Sequence, residues 1–370
     1  MHICITRSEK FAYSETFIRD QITWLSKHSE VYPIHSSRFP EREENGTLLS
    51  PKPFWVLHKI VKGIVGRNNF FSNYGVSRFL KKNRIDVVLA NYGMSAAHMV
   101  PVCKETNVPL LVIFHGHDAT NKKTLKKYRT KYLSLFDYAS AIIVVSKEMK
   151  KGIIKAGADP SKIHVIPCGV NVEKFSLESR DKQNKNFLAV GRFAQKKGPL
   201  LTIEAFSKVL KEFPDAKLTM VGKKDGLYAE CVSLVEQLGI TAQVEFTGVL
   251  DQNAISGRMK NALAFVQHSV TAPNGDMEGT PVSIMEASSS GLPIISTLHG
   301  GIKDAVIHNK TGFLVEENNV NGMAEYMLQL CREPNQAKLM GLNARKHIEV
   351  NYNQSIQLRK IYDLLKKTVQ

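Results

Sequence analysis

The chain reads as an α/β protein made of two Rossmann-like, doubly wound domains. At 370 residues it exceeds the size at which one core keeps growing, so two domains are expected. Short apolar runs alternate with amphipathic segments from end to end, the rhythm of βαβ units and parallel sheets. The polar stretch Ser176-Leu-Glu-Ser-Arg-Asp-Lys-Gln-Asn-Lys185 has the composition of a linker and splits that rhythm in two. The expected domains are residues 1–176 and 177–353, with a basic amphipathic helix at 354–370 completing the first.

Strands are expected in the first half at His2–Ile5, Asp86–Ala90, Leu110–Phe114, Ala141–Val145 and Val165–Pro167. In the second half they are expected at Phe187–Val190, Lys217–Val221, Val244–Thr247, Ala264–His268, Pro293–Ser296 and Gly312–Val315. Each is a short apolar run, as a strand covered by helices on both faces requires. Met285-Glu-Ala-Ser-Ser-Ser-Gly-Leu-Pro293 reads as a short helix stopped by Gly291 and Pro293. Two such domains facing each other leave a deep cleft at the carboxyl ends of their strands, where open α/β sheets bind ligands. His115-Gly-His-Asp118 directly follows one strand and Gly191-Arg192 another, so both stand where chemistry is expected.

Composition excludes several classes. Hydrophobic content of 43% and charged content of 23% are those of a globular protein, and no apolar run approaches the roughly 18 residues of a membrane span. The amino terminus reads as a first strand and not as a secretory signal, which gives a cytoplasmic expectation. Cys4, Cys103, Cys168, Cys231 and Cys331 are scattered, odd in number and without a Cys-x-x-Cys pair, arguing against a disulfide framework or a zinc site. The net charge of +16 is uneven: residues 1–180 carry 28 Lys and Arg against 15 Asp and Glu. Between Gly46 and Ile85 eight basic residues and no acidic one interleave with Phe54, Trp55, Leu57, Ile60, Val61, Ile64 and Val65, a mixture suited to an anionic membrane surface. Lys122-Lys-Thr-Leu-Lys-Lys-Tyr-Arg-Thr-Lys131 adds a second cluster. A solvated helix face or nucleic acid are the other readings of such charge, and only the charge favours nucleic acid.

Glu278-Gly-Thr-Pro-Val-Ser-Ile-Met-Glu286 sets two carboxylates eight residues apart across a loop-to-helix junction. Glu278 falls in the loop and Glu286 on the helix body. The helix's first amides favour an anion, so acceptors for hydroxyls stand beside donors for phosphate. Pro281 has no amide hydrogen, leaving Thr280 and Val282 to donate. Gly191-Arg-Phe-Ala-Gln-Lys-Lys-Gly198 brings Arg192, a bidentate fork, and Lys197, a flexible point charge, from one loop. Together they could neutralise a diphosphate and stabilise it as it leaves.

These motifs jointly resemble the family 4 retaining glycosyltransferases, the glycosyl transferases group 1. The match rests on Gly191-Arg192 with Lys197-Gly198, on Glu278 and Glu286 seven residues between, and on Gly291-Leu-Pro-Ile-Ile-Ser296. Tyr13-Ser-Glu-Thr-Phe-Ile18, His115-Gly-His-Asp118, Ile166-Pro-Cys-Gly-Val-Asn171 and His299-Gly-Gly301 support it. The resemblance implies the GT-B fold and sugar transfer from a nucleoside diphosphate sugar, UDP first and GDP as alternative, with retention and without cofactor or metal. It makes Arg192 and Lys197 the diphosphate clamp, Glu286 the partner of the ribose and Glu278 a contact to the donor sugar. His115 would lie over that sugar, with His117 and Asp118 orienting it or meeting the acceptor. Gly191, Gly279, Thr280 and Val282 would line the phosphates and Gly248 the base; Ser14 would approach phosphate or acceptor, or simply cap a helix. Asn171 stands where many members carry Asp. The implied role is assembly of a bacterial surface polysaccharide (capsule, exopolysaccharide or O-antigen), with a lipid-linked or oligosaccharide acceptor, at the inner face of the plasma membrane. A nucleotide-sugar epimerase on the same fold and a non-catalytic nucleotide-sugar-binding partner are the alternatives.

Overall fold

The computed structural model describes residues 1–8, 16–36, 39–51, 53, 70–177 and 185–370. Ser14, with the rest of its loop, and the apolar residues of the basic segment from Phe54 to Val65 lie outside the described residues.

The first compact unit comprises residues 1–167 and 357–370. Its described strands are β1 (His2–Arg7), β2 (Glu30–His35), β3 (Arg42–Glu43), β4 (Val87–Asn91), β5 (Leu110–Phe114), β6 (Ala141–Val144) and β7 (Ile163–Val165). They form one sheet in the order β3-β2-β1-β4-β5-β6-β7, parallel except for the edge pair β2–β3. Every residue of β4, β5 and β6 is buried, which explains their unbroken apolar sequences. β2 escapes a reading by apolar runs because it is half polar and contains Pro33. The proline costs little there, since β3 pairs only with Ile34 and His35 and the sheet ends beyond it. β7 lies two residues before the expected Val165–Pro167, where Ile163 and His164 find partners in Ile142 and Ile143.

The second unit, residues 168–356, carries β8 (Asn186–Val190), β9 (Lys217–Val221), β10 (Val244–Gly248), β11 (Ala264–Val266), β12 (Ile294–Thr297) and β13 (Gly312–Val315). Their order is β10-β9-β8-β11-β12-β13, all parallel. In each unit the chain winds outward from one strand in one direction, then returns to wind in the other. The switch points fall between β1 and β4 and between β8 and β11.

The first unit ends at Pro167, ahead of residue 176 where the polar composition placed the boundary. Residues 168–175 pack with the second unit. Val170 bridges Asn353, giving its amide to Tyr352 and its carbonyl to Gln354. Phe175 is buried in the second core, and the Arg345 guanidinium donates to the carbonyls of Val172, Phe175 and Ser289 at 2.7, 2.6 and 2.6 Å. Asn171 accepts from the amides of Glu173 and Lys174, a turn an aspartate would close equally well. The last helix, Gln354–Val369, gives residues 357–370 to the first unit, where Tyr362 donates to the carbonyl of His28 and Arg359 lies over Trp24.

Two helix glycines contrast in what surrounds them. At Gly341, in helix Pro334–Asn351, an added Cβ would lie 1.8 Å from the Gly291 carbonyl oxygen. At Gly257, in helix Gln252–Lys260, it would meet nothing within 4 Å. Helix propensity favours alanine by about 1 kcal/mol at either site, while overpacking against backbone costs about 1–3 kcal/mol. Gly341→Ala is therefore expected to lower the urea midpoint and Gly257→Ala to leave it unchanged or raise it.

Candidate functional site

The second unit's switch point holds a pocket. It lies at the carboxyl ends of β8, β9 and β11, is lined by Gly191, Arg192, Lys197, Thr202, Met220 and Gln267 among others, and encloses about 310 Å³ including space open to solvent. The backbone permits the pocket through close glycine contacts. A Cβ at Gly222 would stand 2.1 Å from the Gly191 carbonyl oxygen, and the Gly222 amide donates to Gly248 at 3.0 Å. Gly191, Gly222 and Gly248 thus bring three strand ends together. Gly198, at φ +53°, caps helix Pro199–Val209, and a side chain there would strike the His268 carbonyl oxygen at 1.9 Å.

Charge is concentrated on one side of this pocket. Lys197 Nζ lies 3.0 Å from Glu278 Oε2 and 3.3 Å from Gln267 Oε1. Lys196 Nζ lies 3.2 Å from Asp276 Oδ1, 3.2 Å from the Met277 carbonyl oxygen and 3.8 Å from Glu278 Oε1. All four side chains are largely buried, so these pairs are screened far less than surface ion pairs. Burial pushes the Glu278 carboxyl up, but the charges of Lys197 and Lys196 outweigh it and hold the group below its ordinary value. Its Oε1 is buried, within 3.8 Å of Lys196 Nζ, and has no hydrogen-bond partner among the described residues. Two lysines offset two carboxylates, so Arg192, exposed on the pocket rim, supplies the net positive charge.

Gly279 is buried, Thr280 is half-buried and Pro281 caps helix Val282–Ser289 without a side-chain hydrogen bond. Val282 is therefore the helix's first residue, and Glu286 lies on its body, 9% exposed. Helix and loop fall as the sequence divided them, with the helix starting three residues earlier than Met285.

In the first unit the corresponding strand ends carry a hydrogen-bonded polar cluster. Asn91 donates its amide to the Thr6 carbonyl at 3.2 Å and to Gln21 Oε1 at 3.0 Å, spanning the switch point between β1 and β4. Its oxygen is left to face His115 Nε2 at 2.9 Å. A carbonyl can only accept, so Asn91 is oriented and His115 Nε2 must carry the proton. His115 Nδ1 is then an acceptor, buried and without a partner among the described residues. Burial pulls the imidazole down to about 3, and Phe17 and Tyr92 flank the ring with centroids at 4.7 and 4.9 Å. Tyr92, at φ +69°, occupies a conformation that non-glycine residues rarely adopt. Asp118 orients this turn: it accepts from the amides of His115, Gly116 and Gly93 at 3.1, 3.0 and 2.8 Å. Burial raises its carboxyl despite those bonds. His117 is exposed and meets Thr124 Oγ1 at 3.1 Å.

Several participants escape a motif reading. Lys196 was hidden beside Lys197. Gln267 and His268 follow β11 directly, so the rule that ligands gather at strand ends could have found them. Asn91 ends β4 by the same rule.

Comparison with known proteins gives the site its context. The family model described as Glycosyltransferase Family 4 matches residues 15–174, and that described as Glycosyl transferases group 1 matches residues 171–347. The chain belongs to the family 4 glycosyltransferases. It is 29% identical over 286 residues to the amylovoran biosynthesis glycosyltransferase AmsK of Erwinia amylovora, covering 76% of this chain and 70% of AmsK. It is 28% identical over 308 residues to the UDP-Gal:alpha-D-GlcNAc-diphosphoundecaprenol alpha-1,3-galactosyltransferase of Escherichia coli, covering 78% and 76%. Among solved structures it resembles Anabaena Alr3699/HepE in complex with UDP and glucose, with a TM-score of 0.77, 17% identity and coverage of 99% and 100%. The likeness shows the GT-B fold. The family 4 chain is thus a glycosyltransferase with a charged pocket at its second switch point.

His268 provides a test of how tightly that second unit is packed. It is fully buried, neither ring nitrogen has a hydrogen-bond partner among the described residues, and burial pulls it from 6.5 to about 4. The unfolded chain takes up a proton below pH 6.5 that the folded one refuses, so stability falls as pH drops from there towards 4, by at most about 1.4 kcal/mol per pH unit. Urea titrations between neutral and mildly acid pH are expected to show a shallower acid decline for His268→Leu than for the native chain.

Proposed function

We propose that this glycosyltransferase moves a sugar from UDP, with GDP the alternative carrier, to a lipid-linked saccharide in the assembly of a bacterial surface polysaccharide. The observation that carries the reading is the pocket in which Arg192 stands beside Lys197 while Lys197 is paired with Glu278. AmsK is named for amylovoran biosynthesis, the E. coli relative for a UDP-galactose donor and a diphosphoundecaprenol acceptor, and HepE was solved with UDP.

In this reading Arg192 and Lys197 take the donor diphosphate, Glu286 the ribose and Glu278 a hydroxyl of the sugar, for which its Oε1 has no competing hydrogen bond among the described residues. A diphosphate brings negative charge to a cluster whose lysines are already matched, so Arg192 does most of the neutralising. His115 offers an unprotonated Nδ1 suited to holding a hydroxyl. Transfer proceeds with retention on one face of the sugar, without a metal. The bond from the anomeric carbon to the diphosphate breaks, the acceptor oxygen bonds to that carbon, and its proton passes to a phosphate oxygen. Alignment and charge stabilisation are then the protein's main contributions.

The acceptor side is proposed to meet an anionic membrane at the cytoplasmic face. Helix Lys122–Tyr138 exposes Lys122, Lys123, Lys126, Lys127, Arg129 and Lys131 with no acidic residue before Asp137. No helix among the described residues is long and apolar enough to cross a membrane. Co-sedimentation with vesicles containing anionic lipid is expected at low salt, with release as salt rises and with loss on replacing Lys122, Lys123, Lys126 and Lys127 by Glu. Binding that ignores salt would remove this part of the reading.

Arg192→Ala is expected to change stability by no more than about 0.5 kcal/mol, because the side chain is exposed, yet to reduce transfer by roughly 100-fold or more. Lys197→Ala is expected to lose activity and stability together, since it strips a buried carboxylate of its closest cation. A thermal-shift panel of UDP-, GDP- and ADP-sugars identifies the carrier. UDP-sugars at about 100 times Kd should stabilise by about 2.7 kcal/mol, and stabilisation by GDP-sugars alone would replace UDP.

A further inference from the structure

We infer that His299 and Glu317 form a positioning pair that sets the backbone of Glu278 and thereby the preference for a sugar-bearing donor over the bare nucleoside diphosphate. The inference rests on the donor reading above, in which Glu278 meets the sugar.

The Glu278 peptide is held from both sides. Its N–H donates to His299 Nε2 at 3.0 Å, and its carbonyl accepts from the Gly301 amide at 3.3 Å. A Cβ at Gly300, whose φ is +46°, would lie 2.3 Å from that carbonyl oxygen, so only glycine allows the turn to come this close. The other imidazole nitrogen, His299 Nδ1, lies 2.6 Å from Glu317 Oε1. The Glu317 carboxylate also accepts from the Thr271 amide at 2.8 Å and the Thr271 hydroxyl at 3.1 Å. His299 follows β12 and Glu317 follows β13, adjacent strands paired through Thr297 and Val315. One relay therefore joins both ends of the segment from Thr271 to Glu278 to two neighbouring strand ends.

The chemistry of the relay fixes the proton. A backbone N–H can only donate, so His299 Nε2 must present its lone pair, and the ring proton sits on Nδ1 facing Glu317. A carboxylate at Nδ1 selects that tautomer, as such partners do for metal-bound histidines. An imidazolium would set two N–H groups against each other. The lysines hold the Glu278 side chain from its far end, whereas His299 and Gly301 hold its peptide. Both restraints are needed to place Oε1, and misplacement by about 1 Å can cost up to about 100-fold in a reaction.

The test uses the full chain, with UDP and UDP-glucose as calorimetric probes. At neutral pH the 15N shifts of His299 are expected to show protonated Nδ1 and unprotonated Nε2, and the Glu278 amide to exchange slowly. His299→Leu should speed that exchange roughly tenfold or more and weaken UDP-glucose roughly tenfold while leaving UDP within about twofold. His299→Gln, whose amide oxygen can reach the Glu278 N–H, should restore most of both. If His299→Leu does not fold, Glu317→Leu, at a partly exposed position, should give the same direction of change. A protonated Nε2 in the native chain, or Glu278 exchange unchanged in the variant, would overturn the pair. Should the native chain fail to prefer UDP-glucose to UDP, the choice of donor falls, while the ring shifts and amide exchange still decide the positioning role.

Discussion

The buried pairing of Lys197 with Glu278 organises the second unit's site. Taking an ammonium and a carboxylate out of water costs several kcal/mol per ion, and their attraction offsets this only when both ends are well placed. The surrounding structure meets that condition. Gly198 turns the chain so that Lys197 faces inward beside Gln267, and Lys196 brings a second cation while fixing Asp276 and the Met277 carbonyl. Glu278 is held ionised between two lysines, and one of its oxygens stays without a hydrogen bond. A pocket with matched internal charge and one exposed arginine is suited to an anionic ligand that arrives with its own hydroxyls.

The two units use one topology for different electrostatics. At the first switch point hydrogen bonds dominate: Asn91 bridges β4 to β1, His115 is pulled to about 3, and the Asp118 carboxyl is pushed up by burial despite three backbone donors. At the second, lysines and carboxylates are packed together. The first unit thus presents a hydrogen-bond acceptor of fixed tautomer at His115, and the second a cluster of paired charges at Lys197 and Glu278. Backbone carbonyls determine both arrangements, because they can only accept: Thr6 orients Asn91, and Met277 receives Lys196.

Much of this was legible in the sequence. The apolar runs at β4, β5 and β8 to β13 stand out because both faces of those strands are covered, whereas β2 was missed because a near-edge strand tolerates Pro33 and polar neighbours. The boundary at residue 176 followed composition, yet the chain joins the second unit earlier because Val170, Phe175 and Arg345 pack there, which composition does not register. Arg192, Lys197, Glu278 and Glu286 were identifiable as residue types in a spaced motif. Their partners were not: Gln267 and Glu317 carry no local pattern, and the motif His299-Gly-Gly301 does not reveal that His299 meets the Glu278 amide.

The sequence alone determined that the chain makes two parallel sheets, that Gly191-Arg192 and His115 sit at strand ends, and that Glu278 precedes a helix carrying Glu286. Those properties follow from local periodicity and turn chemistry, which a linear string contains. Tertiary structure decided which charges meet. Lys197 reaches Glu278 across 81 residues because β8 and β11 are neighbours only once the sheet reverses its winding. It also decided which histidine nitrogen carries the proton, at His115 through Asn91 and at His299 through the Glu278 amide, because a tautomer is set by the groups that face the ring and not by those beside it in the chain.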